Sequence, residues 1–200
     1  MSRILVATTN PGKVAEYQAI LSDDGIQLLG LREVGVDFEV DESGQTFEEN
    51  ARLKARVYAT ESGLLTLADD SGLCVDALGG GPGIFSARYG PDPASRIERL
   101  LVEMADVPDD RRTARFVCVI ALAEPGGGTH TFEGVCEGRI ARRPRGTRGF
   151  GYDPVFYLPE YDLTMAELPL SLKNEISHRA RAAARLKAWL AENVSQPSSP

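Results

Sequence analysis

Two long strand-like runs, residues 114–123 and 129–140, are separated only by a turn built on Pro125-Gly126-Gly127-Gly128. Apolar and β-branched residues dominate the first run and make up half of the second, and a short Gly-rich link between such runs predicts an antiparallel hairpin. The start of the chain carries a different signal. Residues 4–8 form a short apolar run of the kind found in buried strands, followed by Thr9-Asn10-Pro11-Gly12-Lys13 and a helical pattern of Val14, Tyr17 and Leu21. Asn10 and Pro11 suit the N-cap and first position of that helix, which is expected to stop near Gly25 before a strand over residues 26–31. Parallel and antiparallel strands with intervening helices define an α/β chain.

Further elements follow the same grammar. Residues 33–45 read as an acidic loop, and Thr46-Phe47-Glu48-Glu49 as a capping box that opens a helix ending at Gly63. On that helix Asn50 and Lys54 are four apart, so both can reach one ligand. Residues 64–68 and 73–77 read as strands on either side of an acidic turn, residues 79–83 and 144–154 as glycine-rich loops, and residues 95–105 as a helix. The last helix starts at Ser177 with Ala180, Ala183, Leu186 and Leu190 as its buried stripe, and residues 193–200 read as a disordered tail.

The net charge of -7 argues against a nucleic-acid partner, although a local cleft can still attract a small anion. Three cysteines, Cys74, Cys118 and Cys136, give neither a disulfide framework nor a zinc pattern; Cys118 and Cys136 read as small core residues. No apolar stretch approaches the roughly 20 residues that span a bilayer, and the first residues lack the pattern of a signal peptide, so the chain reads as cytoplasmic with no membrane partner.

Five segments can carry chemistry. Thr8-Thr9-Asn10-Pro11-Gly12-Lys13 places a helix N-terminus, a glycine and a lysine where a phosphate can bind, without the spacing of a Walker loop; alone it is also an ordinary capped helix start. Asp69-Asp70-Ser71-Gly72 sets two carboxylates side by side, a costly arrangement unless a cation or proton offsets their repulsion. It suits Mg²⁺, which prefers carboxylate and phosphate oxygens, and it equally suits an Asx-type turn. Glu42, in Asp41-Glu42-Ser43-Gly44, gains meaning only if it meets Asp70 at one metal. Phe150-Gly151-Tyr152-Asp153 exposes an aromatic ring between glycines, with an acceptor at its edge, and can stack on a base or pack into the core. Ser177-His178-Arg179 puts cationic residues at the positive end of a helix, which calls for an acceptor partner; Lys173 lies just upstream.

Taken in order, TTNPGK, ESGQTFEENARLKA, LADDSGL, LGGGPGIFSARY, GFGYDP and ISHR resemble the inosine triphosphate pyrophosphatase family over nearly the whole chain. The resemblance implies an elongated mixed sheet flanked by helices, forming one domain over residues 1–192 with two lobes and a central substrate cleft, in a homodimer. It implies Mg²⁺-dependent cleavage of ITP, dITP or XTP to the monophosphate and pyrophosphate. By the same resemblance residues 8–13 and Lys54 bind the triphosphate, and Glu42 and Asp70 hold Mg²⁺. Asp70 acts as base with Asp69 as helper, and Ser71 touches substrate. Phe150, Gly151, Tyr152 and Asp153 line the base pocket, with Lys173, His178 and Arg179 closing it. A Maf-type pyrophosphatase of different base preference and a non-catalytic nucleotide-binding module are the rival readings.

Overall fold

The computed structural model describes residues 3–21 and 26–193. The helix stop expected near Gly25 and the tail expected after residue 193 lie outside those residues. Seven strands form one sheet in the order β2-β1-β3-β4-β5-β6-β7, where β1 is Arg3–Val6, β2 Gln27–Gly30, β3 Leu65–Val75, β4 Thr113–Ala123, β5 Thr129–Ile140, β6 Phe156–Leu158 and β7 Leu163–Thr164. The helices are α1 (Pro11–Leu21), α2 (Phe47–Ser62), α3 (Pro93–Glu103), α4 (Leu170–Ile176) and α5 (His178–Asn193). The described residues divide into two compact units, residues 3–21, 26–70, 118–134 and 178–193 in the first and residues 71–117 and 135–177 in the second.

In the first unit β1 is parallel to both β2 and β3, with Ile4 opposite Leu28 and Leu65. Ile4, Leu5 and Val6 are all buried, the continuous apolar run expected of a strand covered on both faces. The side chain of Asn10 caps α1 by accepting from the N–H groups of Gly12 (2.9 Å) and Lys13 (3.3 Å), while Pro11 occupies the position that needs no donor. Tyr17 and Leu21 of α1 join Leu67, Cys118, Ile120, Leu122, Phe132 and the Ala183–Leu186–Leu190 stripe of α5 in one core. Burying each such aliphatic side chain contributes about 1.5–3 kcal/mol. α5 reaches this core at close range because β5 offers Gly134: a Cβ there would lie 2.1 Å from the His178 carbonyl oxygen and 2.4 Å from the Ala182 nitrogen. Asn193, expected in the tail, is the last residue of α5.

Two details differ from expectation. Thr46 caps α2 by accepting from the Glu49 N–H at 3.1 Å, but the Glu49 carboxylate reaches back to Gln45 rather than to Thr46. More consequentially, the acidic turn predicted between two short strands does not exist. β3 runs unbroken through Asp69-Asp70-Ser71-Gly72. A turn is the natural home of Asp-Ser-Gly only when the carboxylates are solvated; here cationic side chains neutralise them inside the sheet.

In the second unit the core gathers Leu73, Leu100, Met104, Phe116, Ile140, Phe156 and Met165. Arg112, 3% exposed, is spent on backbone carbonyls: it donates to Ile140 (2.8 Å), Ala141 (3.2 Å) and Met104. The arginine-rich loop is likewise pinned to its own unit. Arg142 pairs with Asp109 at 2.7 Å, Arg145 with Glu167 at 3.1 Å, and Arg148 donates to the carbonyls of Glu167 and Leu168. The short β6, β7 and α4 carry too few residues to show a period, and sequence reading missed them.

Candidate active site

Along a strand successive side chains point to opposite faces, and the two carboxylates of β3 find different partners. Asp69 is buried against Lys13 of α1, whose ammonium lies 2.8 Å from Oδ2, and against Arg179 of α5 at 3.5 Å. Arg179 is itself 1% exposed and also pairs with the buried Glu16, so one guanidinium ties α1, α5 and β3 together. Cys118 Sγ approaches the same Asp69 oxygen at 3.7 Å, and Tyr17 contacts Cys118 at 3.9 Å. Burial alone would raise the carboxyl pKa of Asp69; Lys13, Arg179 and Lys54 outweigh it and hold the group well below the usual carboxylate range. Burial and the Asp69 charge act the other way on Cys118, pushing its thiol up to about 12. Asp69 Oδ1 is buried and has no hydrogen-bond partner among the described residues.

Asp70 meets α2 and the acidic loop. Asn50, fully buried in the first turns of α2, donates from Nδ2 to Asp70 Oδ2 at 3.0 Å. One turn on, Lys54 bonds the Glu42 carboxylate and donates to the Asp69 backbone oxygen at 2.8 Å. Burial raises the Asp70 pKa, and the Glu42 charge adds to it against the opposing pull of Lys54 and Asn50. Burial would lower the pKa of Lys54, but Asp69, Asp70 and Glu42 together raise it. At the start of α1, Thr8 Oγ1 accepts from the Asn10 N–H at 3.2 Å and Thr9 donates to Glu39 at 3.2 Å. The first unit therefore brings together residues 8–13, Glu42, Lys54, Asp69 and Asp70.

The second unit holds another cluster. Lys173 of α4 is buried and donates to Asp153 Oδ2 at 2.6 Å, and its ammonium lies 5.0 Å from the centroid of the Phe150 ring. The same Asp153 oxygen accepts from the Phe150 N–H at 2.9 Å. Gly149, at a φ of 76°, leaves space that a side chain would take from Asp153, since its Cβ would fall 2.0 Å from Oδ2. Gly151 also has positive φ, at 62°. Tyr152 is buried, donates to the Ser86 carbonyl at 3.0 Å, and has its phenol pushed up to about 12 by burial. Ser86 Oγ in turn accepts from the Leu73 N–H at 2.9 Å, tying the Gly83–Arg88 turn to β3. Ser71 is half-buried where β3 enters this unit. His178, buried, opens α5 in the first unit.

Among the described residues no three His, Cys, Asp or Glu side chains group closely enough to hold a metal by themselves. Glu42 and Asp70 lie on either side of Lys54, and burial, with the Glu42 charge adding to it, raises the Asp70 pKa. Such a pair fits Mg²⁺, which commonly takes one or two protein carboxylates and completes its octahedron with water and phosphate oxygens. Glu16 and Ser86 went unnoticed in the sequence. Glu16 follows Lys13 by three on α1, so its helical offset was readable; Ser86 acts partly through its backbone carbonyl, which leaves no signal in residue type.

A capped helix start with a lysine, a second lysine one helix away and two strand carboxylates define a protein built to handle a phosphorylated ligand. The family model described as the Ham1 family matches residues 4–189. The dITP/XTP pyrophosphatase of Geobacter sulfurreducens is 53% identical over 95% of this chain and 97% of its own, and that of Halalkalibacterium halodurans is 50% identical over 95% of this chain and all of its own. The HAM1 protein of Coxiella burnetii superposes with a TM-score of 0.88 at 45% identity over 96% of this chain and all of its own. The Ham1 protein of Staphylococcus aureus gives 0.85 at 42% identity over 96% of this chain and 99% of its own. The chain belongs to the Ham1 family, and the resemblance read from its six motifs is borne out.

Proposed function

We propose that this chain is a hydrolase that splits ITP, dITP and XTP into the nucleoside monophosphate and pyrophosphate, clearing non-standard purine nucleotides. The observation that carries the reading is the buried Asp69-Asp70 pair set against Lys13 and Lys54, in a chain half identical to proteins named dITP/XTP pyrophosphatase. The start of α1 brings its positive dipole end and the Lys13 ammonium to the triphosphate, its first N–H groups being held by Asn10, and Lys54 adds a second cation. Glu42 and Asp70 would hold Mg²⁺, which supplies charge neutralisation at the phosphate oxygens and a more acidic water. Asp70 would serve as base for the water that attacks the α-phosphorus, and Asp69, held ionised by Lys13 and Arg179, keeps Lys13 in place. In the second unit Phe150 gives a ring face for a purine, beside the Asp153–Lys173 pair.

No helix among the described residues is long and apolar enough to cross a membrane. We extend the reading to a cytoplasmic homodimer, which light scattering on the purified protein tests. The reaction is tested by incubating the protein with Mg²⁺ and ITP, XTP, GTP, ATP or UTP and identifying the products. Pyrophosphate with IMP or XMP supports it; orthophosphate as first product, or no turnover of any nucleotide, overturns it. Asp70→Asn should lower kcat at least ~100-fold, the scale of lost general-base catalysis.

A further inference from the structure

We infer that Asn50 is a positioning residue that sets the spacing of Glu42 and Asp70, and with it the affinity of their site for a divalent cation. The inference rests on the reading of that pair as the Mg²⁺ site. Asn50 is fully buried and both ends of its carboxamide are used. Oδ1 accepts from the Gly44 N–H at 2.8 Å, and Nδ2 donates to Asp70 Oδ2 at 3.0 Å. A carboxamide has one accepting and one donating end. Turning it over would set donor against donor at Gly44 and acceptor against acceptor at Asp70, so its orientation is fixed from both sides. Gly44 lies two residues from Glu42. One amide thus fastens the loop that carries the first carboxylate to the side chain of the second.

The fit at Gly44 is close: a Cβ there would lie 2.6 Å from Asn50 Oδ1 and 2.8 Å from the Glu49 Cβ. Lys54, one turn further along α2, holds Glu42 itself. The two residues share the work on one helix, Asn50 on Asp70 and Lys54 on Glu42, so α2 presents the carboxylates as a set. No other side chain of this size replaces Asn50. A carboxylate would repel Asp70, and an apolar group would remove the acceptor of the Gly44 N–H and one donor to Asp70 Oδ2.

The test uses full-length protein and Mn²⁺ as a paramagnetic probe, titrated by EPR in the presence of the α,β-methylene analogue of ITP, which is not hydrolysed. Asn50→Ala and Asn50→Leu, which add no charge, should weaken Mn²⁺ binding about tenfold or more, the usual cost of losing a group that orients a metal ligand. Gly44→Ala should do the same by pushing on Asn50, and should add nothing further in the Asn50→Ala background. Rescue by Asn50→Gln is expected to be poor, because its extra methylene has no room between Gly44 and Asp70. Circular dichroism and melting curves check folding; if Asn50→Ala fails to fold, Gly44→Ala and Asn50→Leu decide. Folded variants with unchanged Mn²⁺ affinity, or Gly44→Ala and Asn50→Ala effects that simply add, overturn the inference. If the parent hydrolyses ITP while the variants bind Mn²⁺ normally, only the role of Asn50 falls. A parent that binds no Mn²⁺ with the analogue overturns both readings.

Discussion

Replacing Arg179 by Met should destabilise the first unit by about 3 kcal/mol, because the side chain leaves while two buried carboxylates stay. Arg179 is 1% exposed, and it pairs with Glu16 and with Asp69, both buried. Breaking a buried pair by removing one partner costs about 3–5 kcal/mol. Lys13 remains on Asp69 at 2.8 Å, which places the cost at the lower end of that range. In a chain of 200 residues each kcal/mol moves the melting temperature by about 2–4 °C, so Tm should fall by about 6–12 °C. The sign of the pH dependence follows from Asp69. Its folded pKa is depressed, so its ion pairs stabilise the fold above the ordinary carboxylate value of about 4, and that contribution is lost as the pH drops further. The gap in Tm between parent and Arg179→Met should therefore be full at neutral pH and narrow below about pH 4. A double variant, Glu16→Gln with Arg179→Met, should recover at least half of the loss, since one of the stranded charges is gone. Scanning calorimetry in chelator-containing buffer measures all three. A single variant melting within about 2 °C of the parent, or a double variant that melts lower than the single one, would refute the reasoning.

Three further outcomes are expected. Gly134→Ala should cost at least ~3 kcal/mol in urea unfolding, because its Cβ would meet the α5 backbone at 2.1 Å and nothing there is a flexible side chain; a loss under about 1 kcal/mol would show that α5 can simply step back. Tyr152→Phe, which removes only the donor to the buried Ser86 carbonyl, should cost about 1–2 kcal/mol in the same assay, and an unchanged midpoint would contradict that bond. Cys118, with its thiol near 12, should resist iodoacetamide at pH 8 in native buffer and react only as the protein unfolds; labelling within minutes would sink this. Because that pKa is raised, the stability linked to the protonated thiol is present below about pH 8.5 and is lost as the pH climbs towards 12.

Local signals carried far where the physics was local. The hairpin of β4 and β5, the Asn10 cap, the Thr46 cap and the left-handed Gly63 that ends α2 were all legible, because each depends on a few neighbouring residues. The acidic run failed for the opposite reason. Whether Asp69-Asp70 turns or stays extended is decided by Lys13, Arg179 and Lys54, which are remote along the chain. Arg112 shows the same limit: its partners are carbonyls, and backbone acceptors look alike in every sequence. The i, i+4 spacing of Asn50 and Lys54 was visible, yet its meaning needed the loop at Gly44 folded back onto it.

The unbroken course of β3 also limits how this chain can change. Asp69 and Asp70 are identical in kind and differ only in which face of the sheet they occupy, so chemistry cannot tell them apart if the strand slips. One residue inserted between Leu65 and Leu67 would preserve every motif on paper while turning each carboxylate towards the other's partners. The count of residues from the β1 pairing at Leu65 to Asp70 decides which partners each carboxylate meets.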